Sequence, residues 1–158
     1  MIKAAFCDDD LSVLNELHVL MDNYRVERNQ EITYTAFQSP LELIAQIEKG
    51  MRFDILFLDV LMPGVNGIET AQEIREYDSA MKIIFLTSSA EYAVESYTVN
   101  AYFYQLKPIW PESFYRLMDS VLKECAQEQR RSLILKCKSG ITQISLDRLM
   151  YCEVQGRT

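Results

Sequence analysis

Residues 4–17 read AAFCDDDLSVLNEL: an apolar run, then the carboxylates Asp8, Asp9 and Asp10, then a segment in which Leu14, Leu17 and, further on, Met21 fall at helical spacing. A strand that passes into a helix within a few residues is the opening of a β-α unit, and three acids sit at the join. Two carboxylates ~4 Å apart repel by roughly 1 kcal/mol in water and roughly 4 kcal/mol at the effective dielectric of a protein surface. A bound cation is the simplest offset for that repulsion. Asp10, the last of the three, is read instead as the start of the helix, where acids are favoured by capping and by the macrodipole.

The same alternation continues outward. Strand-like runs occupy 2–7 (IKAAFC), 32–37 (ITYTAF), 54–60 (DILFLDV), 82–87 (KIIFLT) and 101–106 (AYFYQL), and helical spacing separates them, as in Leu41, Ile44 and Ile47. Pro40 fits the first turn of that second helix and Gly50 its stop. Several strands are continuously apolar, as strands buried on both faces are. Five β-α units in succession predict an α/β fold, a parallel five-stranded sheet with helices on both faces. The fifth helix is expected from Pro111 to about Gln129, with Phe114, Leu117, Met118, Val121, Leu122 and Cys125 on one stripe. The polar run 127–132 (QEQRRS) reads as a linker, and residues 133–158 as a β-rich appendage, with LILKCK and TQISL forming strands across a Ser139-Gly140 turn and LMYCEV a third.

The chain has 158 residues, room for one well-cored domain and a fragment of a second. Of its residues 49% are hydrophobic and 25% charged, which is globular rather than disordered or fibrous. No apolar run has the length of a membrane span, and MIKAAFCDDD lacks a signal peptide's apolar region, so the expected location is the cytoplasm. Cys7, Cys125, Cys137 and Cys152 form no CxxC pair and His18 is the one histidine, which excludes a zinc cluster and leaves ordinary reduced thiols. The net charge of −7 is uneven. Residues 1–129 hold 10 Lys and Arg against 21 Asp and Glu, while residues 130–158 hold 6 against 2. The acidic part is no simple nucleic-acid binder, and the step in charge marks two modules with different partners.

In open parallel sheets ligands gather outside the carboxyl ends of the strands. Those ends carry Asp8 and Asp9, Asp59, Thr87 and Ser88, and Lys107. Oxygen donors of this kind suit Mg²⁺, which takes one or two carboxylates and keeps waters that an incoming phosphate can replace. A lysine and a hydroxyl at the same edge can meet phosphoryl oxygens. Asp59 is then the carboxylate nucleophile of a site that receives a phosphoryl group.

Through CDDD, LDVLMPGVNGIE (58–69), LTSS (86–89) and YFYQLKP (102–108), the chain to about residue 126 resembles the receiver domain of two-component response regulators. The resemblance implies a doubly wound, flavodoxin-like (βα)5 fold of strand order 2-1-3-4-5. It also implies a cytoplasmic phosphoacceptor that phosphorylates and dephosphorylates itself slowly, not a turnover enzyme. Its roles fall on Asp8, Asp9 and Asp59 as Mg²⁺ ligands, with Leu61 contributing its backbone carbonyl. Asp59 becomes the residue phosphorylated by a sensor histidine kinase, Lys107 the phosphoryl-contacting lysine, Thr87 the switch hydroxyl and Tyr104 the switch aromatic. The bond before Pro108 is expected to be cis. Phosphorylation is expected to shift the face formed by the fourth helix, fifth strand and fifth helix and to favour a homodimer. Leu61 and Ser89 stand two residues after Asp59 and Thr87, where the family tunes hydrolysis, and an apolar Leu61 orients no water.

From Leu133 the chain looks like the start of a LytTR-type (LytR/AlgR family) DNA-binding domain, with YCEVQGRT resembling part of that family's pattern. The resemblance implies transcription control by a regulator here cut short, with DNA not bound by these 158 residues. The expected domains are 1–126 receiver, 127–132 linker and 133–158 truncated LytTR start. Two other readings compete. One is a stand-alone receiver acting through protein contacts; the other is an aspartate-nucleophile phosphatase, disfavoured because Leu61 stands where such enzymes need an acid/base Asp. His18 is read as a surface residue, the aromatic residues between Tyr92 and Tyr115 as roughly half core, and the basic residues of the tail as a solubilising edge.

Overall fold

In the computed structural model residues 1–138 are described, and of 136–138 the backbone alone. The apolar runs pair side by side, all parallel. β1 (Ile2–Cys7) lies between β2 (Ile32–Phe37) and β3 (Ile55–Leu58), and beyond β3 come β6 (Lys82–Thr87) and β7 (Phe103–Leu106). Between β3 and β6 the chain inserts a two-stranded antiparallel hairpin, β4 (Leu61–Met62) with β5 (Val65–Asn66). Leaving out that hairpin, the sheet has the expected order 2-1-3-4-5. Pro63 and Gly64 turn the hairpin, and Gly64 takes the positive φ of 72° that the second central position of a type II turn requires.

The pleat sends alternate residues to opposite faces. Ala5, Cys7, Leu56, Leu58, Ile83 and Phe85 pack into one cluster with Leu43, Ile44 and Ile47 of α2 (Pro40–Glu48) and Ala71 and Ile74 of α3 (Gly67–Arg75). On the other face the Phe57 ring stacks on Phe114 of α4 (Pro111–Lys138) at 5.7 Å, and Tyr24 of α1 (Leu11–Arg28) meets Phe114 edge-on at 6.3 Å. Each such buried ring or aliphatic chain contributes about 2 kcal/mol by leaving water. At the rim the Asp119 carboxylate accepts from the Tyr24 hydroxyl at 2.6 Å and pairs with Arg28, which ties α4 to α1.

The helix ends carry their own caps. Asp10 is extended and accepts from the N–H of Ser12 at 2.9 Å, as the sequence predicts for the third acid of the triplet. Ser39 caps α2 with Pro40 following, and Asn66 caps α3 by accepting from Ile68 at 2.7 Å. Leu41, expected on the apolar stripe of α2, is 74% exposed; Pro40, Leu43, Ile44 and Ile47 form the buried face.

Two elements depart from expectation. The fourth connection holds turns and a 3₁₀-helix, Glu95–Val99, in place of a full helix. Its Val, Thr and Tyr residues are weak helix formers, and Ser96 and Thr98 spend their hydroxyls on the carbonyls of Ala93 and Glu95. At the C-terminal end α4 runs to Lys138, through residues 127–132 read as a linker and 133–138 read as a strand. Gln, Glu, Arg, Leu and Lys are good helix formers, and no Gly or Pro interrupts them before Gly140. The chain divides into two units, Met1–Val121 and Leu122–Thr158. In the second, Arg131 pairs with Glu124 at 3.7 Å and Leu133, Ile134 and Leu135 are exposed. The strands expected after residue 138 and the YCEVQGRT stretch lie outside the described residues. Among the described residues no helix is long and apolar enough to cross a membrane.

Candidate functional site

At the carboxyl edge of the sheet Cys7 stands opposite Phe37 and Leu58, Leu58 opposite Phe85, and Thr87 opposite Leu106, so β6 and β7 run two residues past the ends of β1 and β3. Asp8, Asp59 and Lys107 directly follow β1, β3 and β7 at this edge. Main-chain bonds extend the ladder by one step, from Asp8 N–H to the Phe37 carbonyl at 3.1 Å, from Asp59 N–H to Cys7 at 3.0 Å and from Lys107 N–H to Thr87 at 2.8 Å. Three residues far apart in sequence are thus held by the sheet itself rather than by loops.

Carboxylate oxygens of Asp8, Asp9 and Asp59 lie within 4.8 Å of one another. Asp8 and Asp59 are buried, while Asp9 is exposed at the rim. The Lys107 ammonium reaches between the buried pair, 2.8 Å from Asp8 Oδ2 and 3.3 Å from Asp59 Oδ2. The other oxygens accept main-chain bonds, Asp8 from the N–H of Asp10 at 2.9 Å and Asp59 from the N–H of Leu61 at 3.2 Å. Burial pushes the Asp8 carboxyl above its ordinary pKa, against the pull of the Lys107 and Asp10 bonds. Burial also pulls on Lys107, but the hydrogen bond to Asp8 and the charge of Asp59 outweigh it and raise its pKa, so the ammonium stays charged. Cys7, one residue inside β1, is buried; burial first, and then the neighbouring acids, push its thiol up to about 12. It is no nucleophile.

An all-oxygen donor set with two buried acids and one exposed one fits a hard divalent ion open to solvent on one side. Leu61 belongs to the hairpin that follows Asp59, and its side chain is 46% exposed, so it offers the site no polar group from the side chain. Thr87 is fully buried at the end of β6; its Oγ1 accepts from the N–H of Ser89 at 3.4 Å. The Tyr104 hydroxyl donates to the carbonyl of that same Ser89 while its ring lies 6.0 Å from Phe85. The bond between Lys107 and Pro108 is cis.

Asp8, Asp9, Asp59 and Lys107 therefore meet at one edge, while Thr87 and Tyr104 are linked to each other through the main chain of Ser89. Tyr102 precedes β7, and its hydroxyl meets Ser120 of α4, whereas the Tyr104 hydroxyl goes to Ser89. Of the aromatic residues, Phe114 is fully buried and Tyr104 packs on the core, whereas Tyr97 and Trp110 are exposed. His18 is exposed on α1, beside Asp22 and edge-on to the Tyr34 ring of β2. One residue went unread: Gly67, the first of α3, whose N–H donates to the Val60 carbonyl at 2.7 Å. A Cβ there would stand 2.2 Å from the carbonyl oxygen of Asp59 and 2.7 Å from Val60 Cα, so only glycine lets α3 close against the segment that follows β3. The signal was a glycine directly after the Asn66 cap, where helix entry alone needs none.

The response regulator receiver domain family matches residues 5–121. Among curated relatives, the sensory transduction protein LytT of Oceanobacillus iheyensis is 31% identical over 112 residues, 66% of this chain and 46% of that protein. The transcriptional regulatory protein NatR of Bacillus subtilis is 26% identical over 159 residues, 100% of this chain and 66% of that protein. The chain thus spans about half to two thirds of the length of these relatives. Among solved structures, the response regulatory domain of mrkE from Klebsiella pneumoniae superposes with a TM-score of 0.71 at 23% identity, over 80% of this chain and 99% of that one. The chemotaxis protein CheY4 of Vibrio cholerae does so at 0.63 with 26% identity, over 77% and 98%. The parallel sheet, the acids at its edge and the family match over residues 5–121 lead to one conclusion: the chain belongs to the response regulator receiver family of two-component systems.

Proposed function

We propose that Asp59 accepts a phosphoryl group from the phosphohistidine of a sensor histidine kinase, with Mg²⁺ held by Asp8, Asp9, Asp59 and the Leu61 carbonyl. The observation that carries this reading is the Lys107 ammonium set between Asp8 and Asp59 beside a third carboxylate. The bound ion would neutralise charge on the entering phosphoryl oxygens. Asp59 Oδ attacks phosphorus in line, the bond to the histidine nitrogen breaks, and Lys107 and the Thr87 hydroxyl meet the oxygens left on the acyl phosphate. The protein is a phosphoacceptor and not a turnover enzyme, acting in the cytoplasm. Thr87 and Tyr104, both bonded to the main chain of Ser89, form the switch that passes the event to the face of β7 and α4 and favours a homodimer.

The output in an intact regulator of this kind would be transcription control through a LytTR-type DNA-binding domain C-terminal to the receiver. Support comes from the regulators LytT and NatR among the relatives. Incubation with a small phosphodonor and Mg²⁺ should add one phosphoryl mass to the wild-type protein and none to Asp59→Asn, with oligomer size rising in the wild type alone. Equal labelling of both would overturn the reading. Since Leu61 presents no group that orients water, the acyl phosphate is expected to persist for minutes or longer. A half-life of seconds, followed by intact mass after removal of the donor, would contradict that assignment.

A further inference from the structure

The connection from β6 to β7, residues 88–102, carries the exposed side chains of Val94 and Tyr97 and is gripped at two places. Near β6 the grip is the main chain of Ser89, whose N–H goes to Thr87 Oγ1 and whose carbonyl takes the Tyr104 hydroxyl. At the far end the grip comes from another element. Arg75, in the last turn of α3, donates from Nε to the Val99 carbonyl at 2.8 Å, from one terminal nitrogen to the Asn100 carbonyl at 3.1 Å and from the other to the Asp78 carbonyl at 3.2 Å. Val99 is buried, and Asn100 takes the left-handed conformation at φ 54° where the chain turns toward β7.

A cation in the last turn of a helix ordinarily serves that helix's own free carbonyls. Arg75 spends two of its three bonds on a different segment. The planar fork holds three acceptors in fixed directions, which a lysine ammonium at the same position cannot do. Its guanidinium is partly removed from water, so these charge-assisted bonds face little competition. Between the two grips the backbone is turn and 3₁₀-helix, whose hydrogen bonds are poorer than those of an α-helix. Such a segment, tied at its ends and loose between them, opens at lower free energy than the sheet it crosses.

We propose that Arg75 is the distal latch of a strap running from Ser89 to Asn100, fixing its far end so that rearrangement is confined between the two grips and β7 keeps its register on β6. The proposal deepens the switch reading given above, because what the strap would report is phosphorylation at Asp59. Both of its anchors rest on elements that touch the acceptor region, Thr87 at one end and α3 at the other. The latch itself is a property of the unphosphorylated protein, which makes it testable by itself.

Amide hydrogen exchange on the unphosphorylated chain tests it. Arg75→Gln should speed exchange of the Ser96, Tyr97, Asn100 and Ala101 amides by about tenfold, with Arg75→Lys between it and wild type, while β1 and β3 amides change by less than about twofold. Unchanged rates at those four amides, or an equal acceleration throughout the sheet, would overturn the latch. Adding a small phosphodonor and Mg²⁺ separates the two claims. Fast strap exchange in Arg75→Gln together with no labelling of Asp59 in wild type would sink the phosphoacceptor reading and leave the latch standing.

Discussion

Gly67→Ala is expected to lower folding stability by about 2–3 kcal/mol and to slow phosphoryl acceptance with it. The added Cβ meets backbone, 2.2 Å from the Asp59 carbonyl oxygen and 2.7 Å from Val60 Cα, so no side-chain rotation relieves it. Either the first turn of α3 moves away, breaking the Gly67 N–H bond to Val60 and the Asn66 cap, or the end of β3 moves and carries Asp59 off its line with Lys107. Alanine is the better helix former at an unconstrained position, so propensity alone predicts the opposite sign. Urea denaturation decides between them. A loss under about 0.5 kcal/mol would show that the close approach carries no weight.

Lys107→Met keeps much of the aliphatic stem and removes the charge, leaving Asp8 and Asp59 buried together with their ammonium gone. Removing one partner of a fully buried ion pair costs about 3–5 kcal/mol; with the Lys107 side chain 20% exposed, about 2 kcal/mol is the expected loss in the presence of a chelator. Mg²⁺ should restore more stability to the variant than it adds to wild type, because the two carboxylates then have only the ion to offset their repulsion. Denaturation with chelator and with Mg²⁺, for both proteins, measures the four values needed. A variant as stable as wild type in chelator would mean that Lys107 does not hold the acids together. Phosphoryl acceptance should fall in the variant even when Mg²⁺ has restored its fold.

The strands were legible because their patterns were unambiguous. β1, β2 and β6 occupy the residues read from the sequence, β3 is the inner part of its assigned run, and β7 is the C-terminal part of its own. The acids at the sheet edge were legible for the same reason: once strands are placed, their carboxyl ends follow. Less visible were features set by tertiary contacts. The fourth connection contains enough helical spacing to read as a helix, yet hydroxyls from Ser96 and Thr98 and β-branched residues hold it as turns and 3₁₀-helix. The extension of α4 to Lys138 was hidden by a polar run that looks like a linker but is composed of helix formers. Gly67, Ser89 and Arg75 act by close approach of backbone or by bonds to main-chain carbonyls, and such contacts leave no pattern of residue types to read.

Phosphoryl acceptance by Asp59 would leave one chemical state, an acyl phosphate on its carboxylate. Reduction by borohydride converts an aspartyl phosphate to homoserine, so treatment of the protein after incubation with a small phosphodonor and Mg²⁺, followed by peptide mass mapping, reports the position modified. Homoserine is expected at residue 59 alone, dependent on Mg²⁺ and absent when chelator replaces it. Homoserine at Asp8 or Asp9, phosphate carried on His18, or a peptide spanning residue 59 that stays unchanged under conditions where the intact protein gains phosphoryl mass would contradict it.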